Sequence, residues 1–187
     1  VADSSLILQK LRLNRDKRVD LIIGLDQLHL QEASENFQWQ DLTEFKELLP
    51  EREIPYPEFI PIDWAPLTFI YRKSELKNPP QNLDDLLKPE YKAAIALQDP
   101  RTSTPGLQFL SWVSLAKKEG ATDYLKKLKP NIHSASPSWS TSYGLFKKKQ
   151  AKLVFSYLTS PVYHWVEDKD EDYQPTAFKE RLPMQYE

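Results

Sequence analysis

Asp99-Pro100-Arg101-Thr102-Ser103-Thr104-Pro105-Gly106 joins an apolar run, Ala93-Ala94-Ile95-Ala96-Leu97, to a helical pattern from Leu107 to Lys118. The apolar run is short and ends at a turn-forming stretch, so it reads as a buried strand. Pro105 suits a first helical turn, and Ser103 or Thr104 suits the cap before it. A strand, a tight hydroxyl-rich loop and a helix in that order define an α/β unit. Free N–H groups and hydroxyls then gather at the positive end of a helix dipole, just outside a strand's carboxyl end, where open α/β sheets bind ligands. Two readings remain open here: the hydroxyls seat an anion or a polar ligand group, or they only cap the helix.

The same alternation continues on both sides of the loop. Downstream, Asp123 to Leu128 and Ser140 to Lys148 read as helices, and Leu153-Val154-Phe155-Ser156-Tyr157 reads as a strand. Upstream, Asn78-Pro79-Pro80 breaks the chain before a short helix, Leu83 to Leu87. Pro55, Pro57, Pro61 and Pro66 bracket Phe59-Ile60 and Leu67 to Tyr71, which therefore read as edge strands or as a crossover with a hinge near Asp63-Trp64. Nearer the start, Leu6, Leu8, Leu11 and Leu13 mark an amphipathic helix, and Val19 to Leu25 a short apolar strand. Alternating strands and helices imply mixed or parallel sheets flanked by helices. The chain of 187 residues has room for one good core or two small lobes.

Composition narrows the function classes. A formal charge of -2 argues against nucleic acid, whose phosphates demand a basic surplus. Lys147-Lys148-Lys149 at a helix end reads as a solvated face that complements the dipole. With no cysteine there is no disulfide and no thiolate chemistry. No apolar run is long enough to cross a bilayer. The sequence contains no nucleophile elbow, Ser/His/Asp spacing or His-x-x-x-His pair, so no catalytic residue, metal ligand or cofactor is assigned. His29, His133 and His164 are scattered and read as satisfied or surface side chains. Asp168, Asp170, Glu171 and Asp172 lack the glycine spacing of an EF-hand loop and read as a solvated turn.

A second helix start, Ser136-Pro137-Ser138-Trp139-Ser140-Thr141-Ser142-Tyr143, holds a tryptophan among small hydroxyl residues. An indole without apolar neighbours suits stacking on a flat ring or a cation, or plain surface packing. Tyr157 closes the last strand and Tyr163 follows Ser160-Pro161-Val162, so two phenols stand near the same strand end.

Five stretches together resemble the thiamine-binding periplasmic proteins of bacterial ABC importers, within the two-lobed, type II periplasmic-binding-protein-like superfamily. They are Asp20 to Asp26, Pro61 to Ala65 with Phe69-Ile70-Tyr71, Leu76 to Pro80, Asp99 to Gly106, and Trp139 through Ser156-Tyr157 to Tyr163-His164. The resemblance implies capture of thiamine and its phosphates in an interlobe cleft and delivery to a membrane permease by a periplasmic monomer, with no chemistry on the ligand. It implies that Trp139 and Tyr163 lie beside the ligand's rings, Tyr157 lines the cleft, Ser103 contacts a polar group, and Asp3 offsets the thiazolium charge or binds the aminopyrimidine. The expected first lobe holds residues 1 to 62 and 165 to 187, the second residues 63 to 164. Ser138, Ala2, Trp64 and Pro66 depart from the family's pattern, and family members extend beyond both ends of this chain, which therefore reads as an internal portion. Ferric-iron or polyamine binding on the same fold, or a thiamine-pathway enzyme sharing it, are the alternatives.

Overall fold

The computed structural model describes residues 4–13, 18–48 and 56–186. The chain divides into two compact units, Val1–Trp64 with Gln185–Glu187, and Ala65–Met184. In the first unit, α1 (Ser4–Leu13) buries Leu8. A turn then leads into α2 (Leu30–Asn36), with Leu30 and Ala33 buried. The turn is held by Asp26, whose carboxylate is fully buried and accepts from the Leu28 N–H at 2.8 Å and from His29 Nδ1 at 3.0 Å. That hydrogen bond raises the His29 pKa, against the opposing effect of burial.

The predicted strand Val19 to Leu25 joins no ladder among the described residues, Gly24 turns the backbone to φ 88°, and Leu21 is 76 % exposed. An apolar run becomes a strand only when a neighbour supplies the ladder of hydrogen bonds. With Phe59 to Ile62 it lines a cavity of about 920 Å³ inside this unit.

The second unit is built on a mixed sheet. Its strands are β1 (Trp64–Arg72), β2 (Ile95–Gln98), β3 (Ile132–Ser136), β4 (Leu153–Tyr157) and β5 (Tyr173–Pro175), in the spatial order β3-β2-β4-β1-β5. β6 (Met184–Tyr186) also pairs with β1. β2 runs parallel to both β3 and β4, so the carboxyl ends of all three lie side by side. β1 is antiparallel to β4 and to β5. The Pro-rich strand is therefore interior rather than an edge. Proline is tolerated because Pro66 precedes the first laddered pair, Leu67 with Tyr157, where its missing donor is not needed.

The linking helices are α3 (Thr104–Lys117) and α4 (Ala121–Leu128) between β2 and β3, α5 (Trp139–Lys147) between β3 and β4, and the short α6 (Ser160–Tyr163) after β4. Strand alternation sorts two cores onto the two faces of the sheet. Leu67, Phe69, Ile95, Leu97, Leu153 and Phe155 pack with Phe109, Trp112 and Val113 of α3. Ile70, Ala96 and Val154 point the other way, onto Tyr143 and Phe146 of α5 and onto Tyr173. Edge-to-face contacts of Phe69, Phe109 and Phe155, with centroids 5.2 to 5.8 Å apart, fix the first core.

Residues 165–184 belong to this second unit, whereas the sequence reading places them with residues 1–62. The reason is pairing: β5 completes the ladder of β1, and buried Thr176 bonds Thr68 Oγ1 at 2.8 Å and the Phe69 carbonyl at 2.9 Å. Asp172 likewise is no mere solvated turn, since its carboxylate accepts from the Ser74 N–H at 2.7 Å and from the Ser74 hydroxyl.

Candidate functional site

Because α3 and α5 leave parallel neighbouring strands for opposite faces, their N-termini diverge above the ends of β2 and β3, the switch point of an open α/β sheet. The two loops are tied together. The Asp99 N–H donates to the Ser136 carbonyl at 2.7 Å, and the Thr102 hydroxyl to the Pro137 carbonyl at 2.8 Å.

At the first loop, Asp99 grips Arg101 through both carboxylate oxygens, at 2.5 and 2.9 Å. The hydrogen bonds from the guanidinium and from the Arg101 N–H hold Asp99 down at a pKa of about 2, so the two charges cancel locally. Ser103 occupies the N-cap position of α3, yet its side chain makes no cap hydrogen bond; its Oγ is fully buried and has no partner among the described residues. The capping-only reading therefore fails for Ser103. Gln98 at the end of β2 donates its Nε2 to the Phe155 carbonyl at 3.0 Å and to the Ser142 hydroxyl, while its Oε1 also has no partner among the described residues. Two buried oxygens without partners at one strand end are uncommon, since buried polar groups nearly always find hydrogen bonds.

At the second loop, Ser138 does cap its helix, its Oγ accepting from the Thr141 N–H. That fixes the first residue of α5, Trp139. The indole Nε1 donates to Ser156 Oγ at 2.8 Å, and Ser156 Oγ bonds Ser160 Oγ at 2.7 Å. One ring lies on Tyr143, with centroids 5.0 Å apart and planes at 27°, and Tyr157 leans against the indole at 6.1 Å and 52°.

Of the residues singled out from sequence, Trp139 and Tyr157 are thus brought into ring contact, and Ser103 lies across the tied loops from them. Tyr163 is 58 % exposed and sets its ring edge-on to His164, with centroids 5.5 Å apart. Asp3 lies outside the described residues. Sequence reasoning passed over Gln98, Ser156, Ser160 and Tyr143. A polar residue breaking an apolar strand was the available signal for Gln98 and Ser156. As expected, His29 and His164 are satisfied and His133 is exposed.

The mixed sheet flanked by helices, with polar and aromatic groups at its strand ends, has the type II periplasmic-binding-protein-like fold. The chain belongs to the bacterial extracellular solute-binding protein family, whose model matches residues 16–174. It is 34 % identical over 192 residues to the thiamine-binding periplasmic protein of Salmonella typhimurium, covering 99 % of this chain and 57 % of that relative. The thiamine-binding periplasmic protein of Brucella abortus is also 34 % identical, over 100 % of this chain and 56 % of its own length. A solved periplasmic thiamin binding protein superposes with a TM-score of 0.92 at 33 % identity, over all of this chain and 59 % of that one. The chain thus spans a little over half the length of these relatives.

Proposed function

We infer that this chain captures thiamine, and its phosphate esters, at the strand ends of the 65–184 unit, as the extracytoplasmic solute-binding component of an ABC importer. The observation that carries the reading is the Trp139–Tyr157 ring pair at the sheet's switch point, in a chain one-third identical to thiamine-binding proteins along its length. Thiamine joins a flat aminopyrimidine to a cationic thiazolium, and an indole face attracts both through dispersion and its negative quadrupole. Trp139 and Tyr163 would flank those rings, and Tyr157 would close one side. The Ser103 hydroxyl, with the N–H groups of the first turn of α3, suits the polar or phosphorylated arm. Asp3 would supply the counter-charge.

On this reading the ligand is carried rather than transformed, and a monomer hands it to a membrane permease. Ferric iron would instead need the Tyr157 and Tyr163 hydroxyls together, whereas one ring leans on Trp139 and the other meets His164. The test is titration with thiamine, thiamine monophosphate, spermidine and ferric citrate, followed by tryptophan fluorescence and thermal unfolding. A ligand at about 100 times its Kd stabilises the native state by about 2.7 kcal/mol, an upward shift of several degrees. A shift with spermidine or iron and none with the thiamine compounds would refute the assignment.

A further inference from the structure

Beneath Trp139 the rings continue inward. Tyr143 lies nearly parallel to His164, with centroids 5.9 Å apart and planes at 9°, and His164 lies on Tyr173 at 3.7 Å and 11°. Trp139, Tyr143, His164 and Tyr173 form one pile from the strand ends into the unit, and its inner three members are buried. Hydrogen bonds run along it. The Tyr143 hydroxyl meets His164 Nε2 at 3.0 Å, and His164 Nδ1 meets Asp168 Oδ2 at 2.6 Å.

Local backbone explains how Asp168 gets there. His164 to Asp168 forms a π-helical turn, closed by Lys169 in the left-handed region at φ 54°. Asp170 N–H returns to the His164 carbonyl at 3.0 Å. Single π turns recur at functional sites.

The donors can be assigned in sequence. An ionised carboxylate only accepts, so when the imidazole is neutral its one proton sits on Nδ1, facing Asp168. In that tautomer Nε2 is an acceptor, and the Tyr143 hydroxyl donates to it. Tyr143 has one strong orientation as a result, and the indole that lies on it is fixed from below by that ring and from the side by Ser156.

We propose that His164, oriented by Asp168, is a positioning residue that holds Tyr143 and through it the Trp139 ring in the orientation the ligand's aromatic rings require. This rests on the thiamine-binding reading for the ligand, and on the ring pile alone for Trp139. Orienting a ring in advance removes an ordering cost from binding, so its loss appears in affinity beyond any loss of stability.

The test compares three substitutions by thiamine calorimetry, thermal unfolding and the Trp139 contribution to near-ultraviolet circular dichroism, obtained by difference against Trp139→Phe. His164→Phe keeps a ring on Tyr173 and removes both nitrogens; it is expected to weaken thiamine binding about tenfold and to diminish the Trp139 signal. His164→Gln restores an acceptor for the Tyr143 hydroxyl and is expected within about threefold of the parent. Asp168→Ala, at a half-exposed site, should weaken binding about three- to tenfold even if His164→Phe fails to fold. Equal affinities for the parent, His164→Phe and Asp168→Ala would overturn the proposal, as would equal losses for the Phe and Gln variants. If the parent does not bind thiamine, the functional reading fails separately, and the Trp139 dichroism decides the positioning role: an unchanged signal in both His164→Phe and Asp168→Ala would overturn it.

Discussion

Replacing Gly106 with alanine would put a methyl carbon 2.5 Å from the Gln98 carbonyl oxygen and 2.9 Å from the Asp99 carbonyl carbon. Both obstacles are backbone at the end of β2, so no side chain can swing aside. To restore ordinary contact, the first turn of α3 must retreat by about 0.9 Å, which a close-packed interior resists. Overpacking of this kind costs about 1–3 kcal/mol. Alanine in place of glycine recovers less than about 1 kcal/mol of helix propensity at a first-turn position. The net loss is about 1–2 kcal/mol, or roughly 2–8 °C in Tm. Gly144 provides the opposite case: a Cβ there meets nothing within 4 Å, so Gly144→Ala should stabilise by about 0.5–1 kcal/mol. Thermal and urea unfolding of the two variants checks both signs. A Gly106→Ala protein that melts at or above the parent temperature would refute the packing of α3 against β2, and with it the placement of Ser103.

Glu75→Gln removes the carboxylate that accepts from buried Arg72 at 2.6 Å, and should cost about 1.5–3 kcal/mol at pH 7. That hydrogen bond lowers the Glu75 pKa, with burial opposing it, so the stabilisation is complete above the unfolded value of 4.5 and is lost as pH falls through the lower folded value; urea unfolding at pH 7 and pH 3 should show the variant losing less stability than the parent. His29 works in reverse: its raised pKa gives stability below pH 6.5 that fades as pH rises through the folded value, and His29→Gln should flatten that part of the profile. Asn131→Ala strips the Leu86 and Lys88 carbonyls of their donor, at 2.7 and 3.0 Å, and should lower stability by about 1–3 kcal/mol in a melt.

The α/β class and much of the second unit could be read from sequence because its signals are local. Thr104–Lys117 carries Pro105 in its first turn, and Leu153–Tyr157 is an apolar strand, broken only by Ser156, that ends at the site. β3 was not legible: Ile132-His133-Ser134-Ala135-Ser136 is too polar to read as a strand, and only its pairing with β2 makes it one. β5 was hidden similarly, since Tyr173–Pro175 gains its meaning from the ladder with β1 about 100 residues earlier. Trp139 and Tyr157 were visible as odd aromatics beside hydroxyls. Their shared support was not, because the bonds from Trp139 to Ser156 and from Tyr143 to His164 cross 17 and 21 residues. Periodicity reports which face is apolar, and nothing in it reports which buried polar atom will meet which.

The most direct measurement is the Kd for thiamine of the parent and of Trp139→Ala, with Trp139→Phe as the control that keeps a ring. Loss of the indole face removes stacking and cation–π attraction worth about 1.5–3 kcal/mol, so the alanine variant should bind about 10- to 100-fold more weakly, with the phenylalanine variant between. A parent that binds thiamine with an affinity that Trp139→Ala leaves unchanged would contradict a site built on that ring.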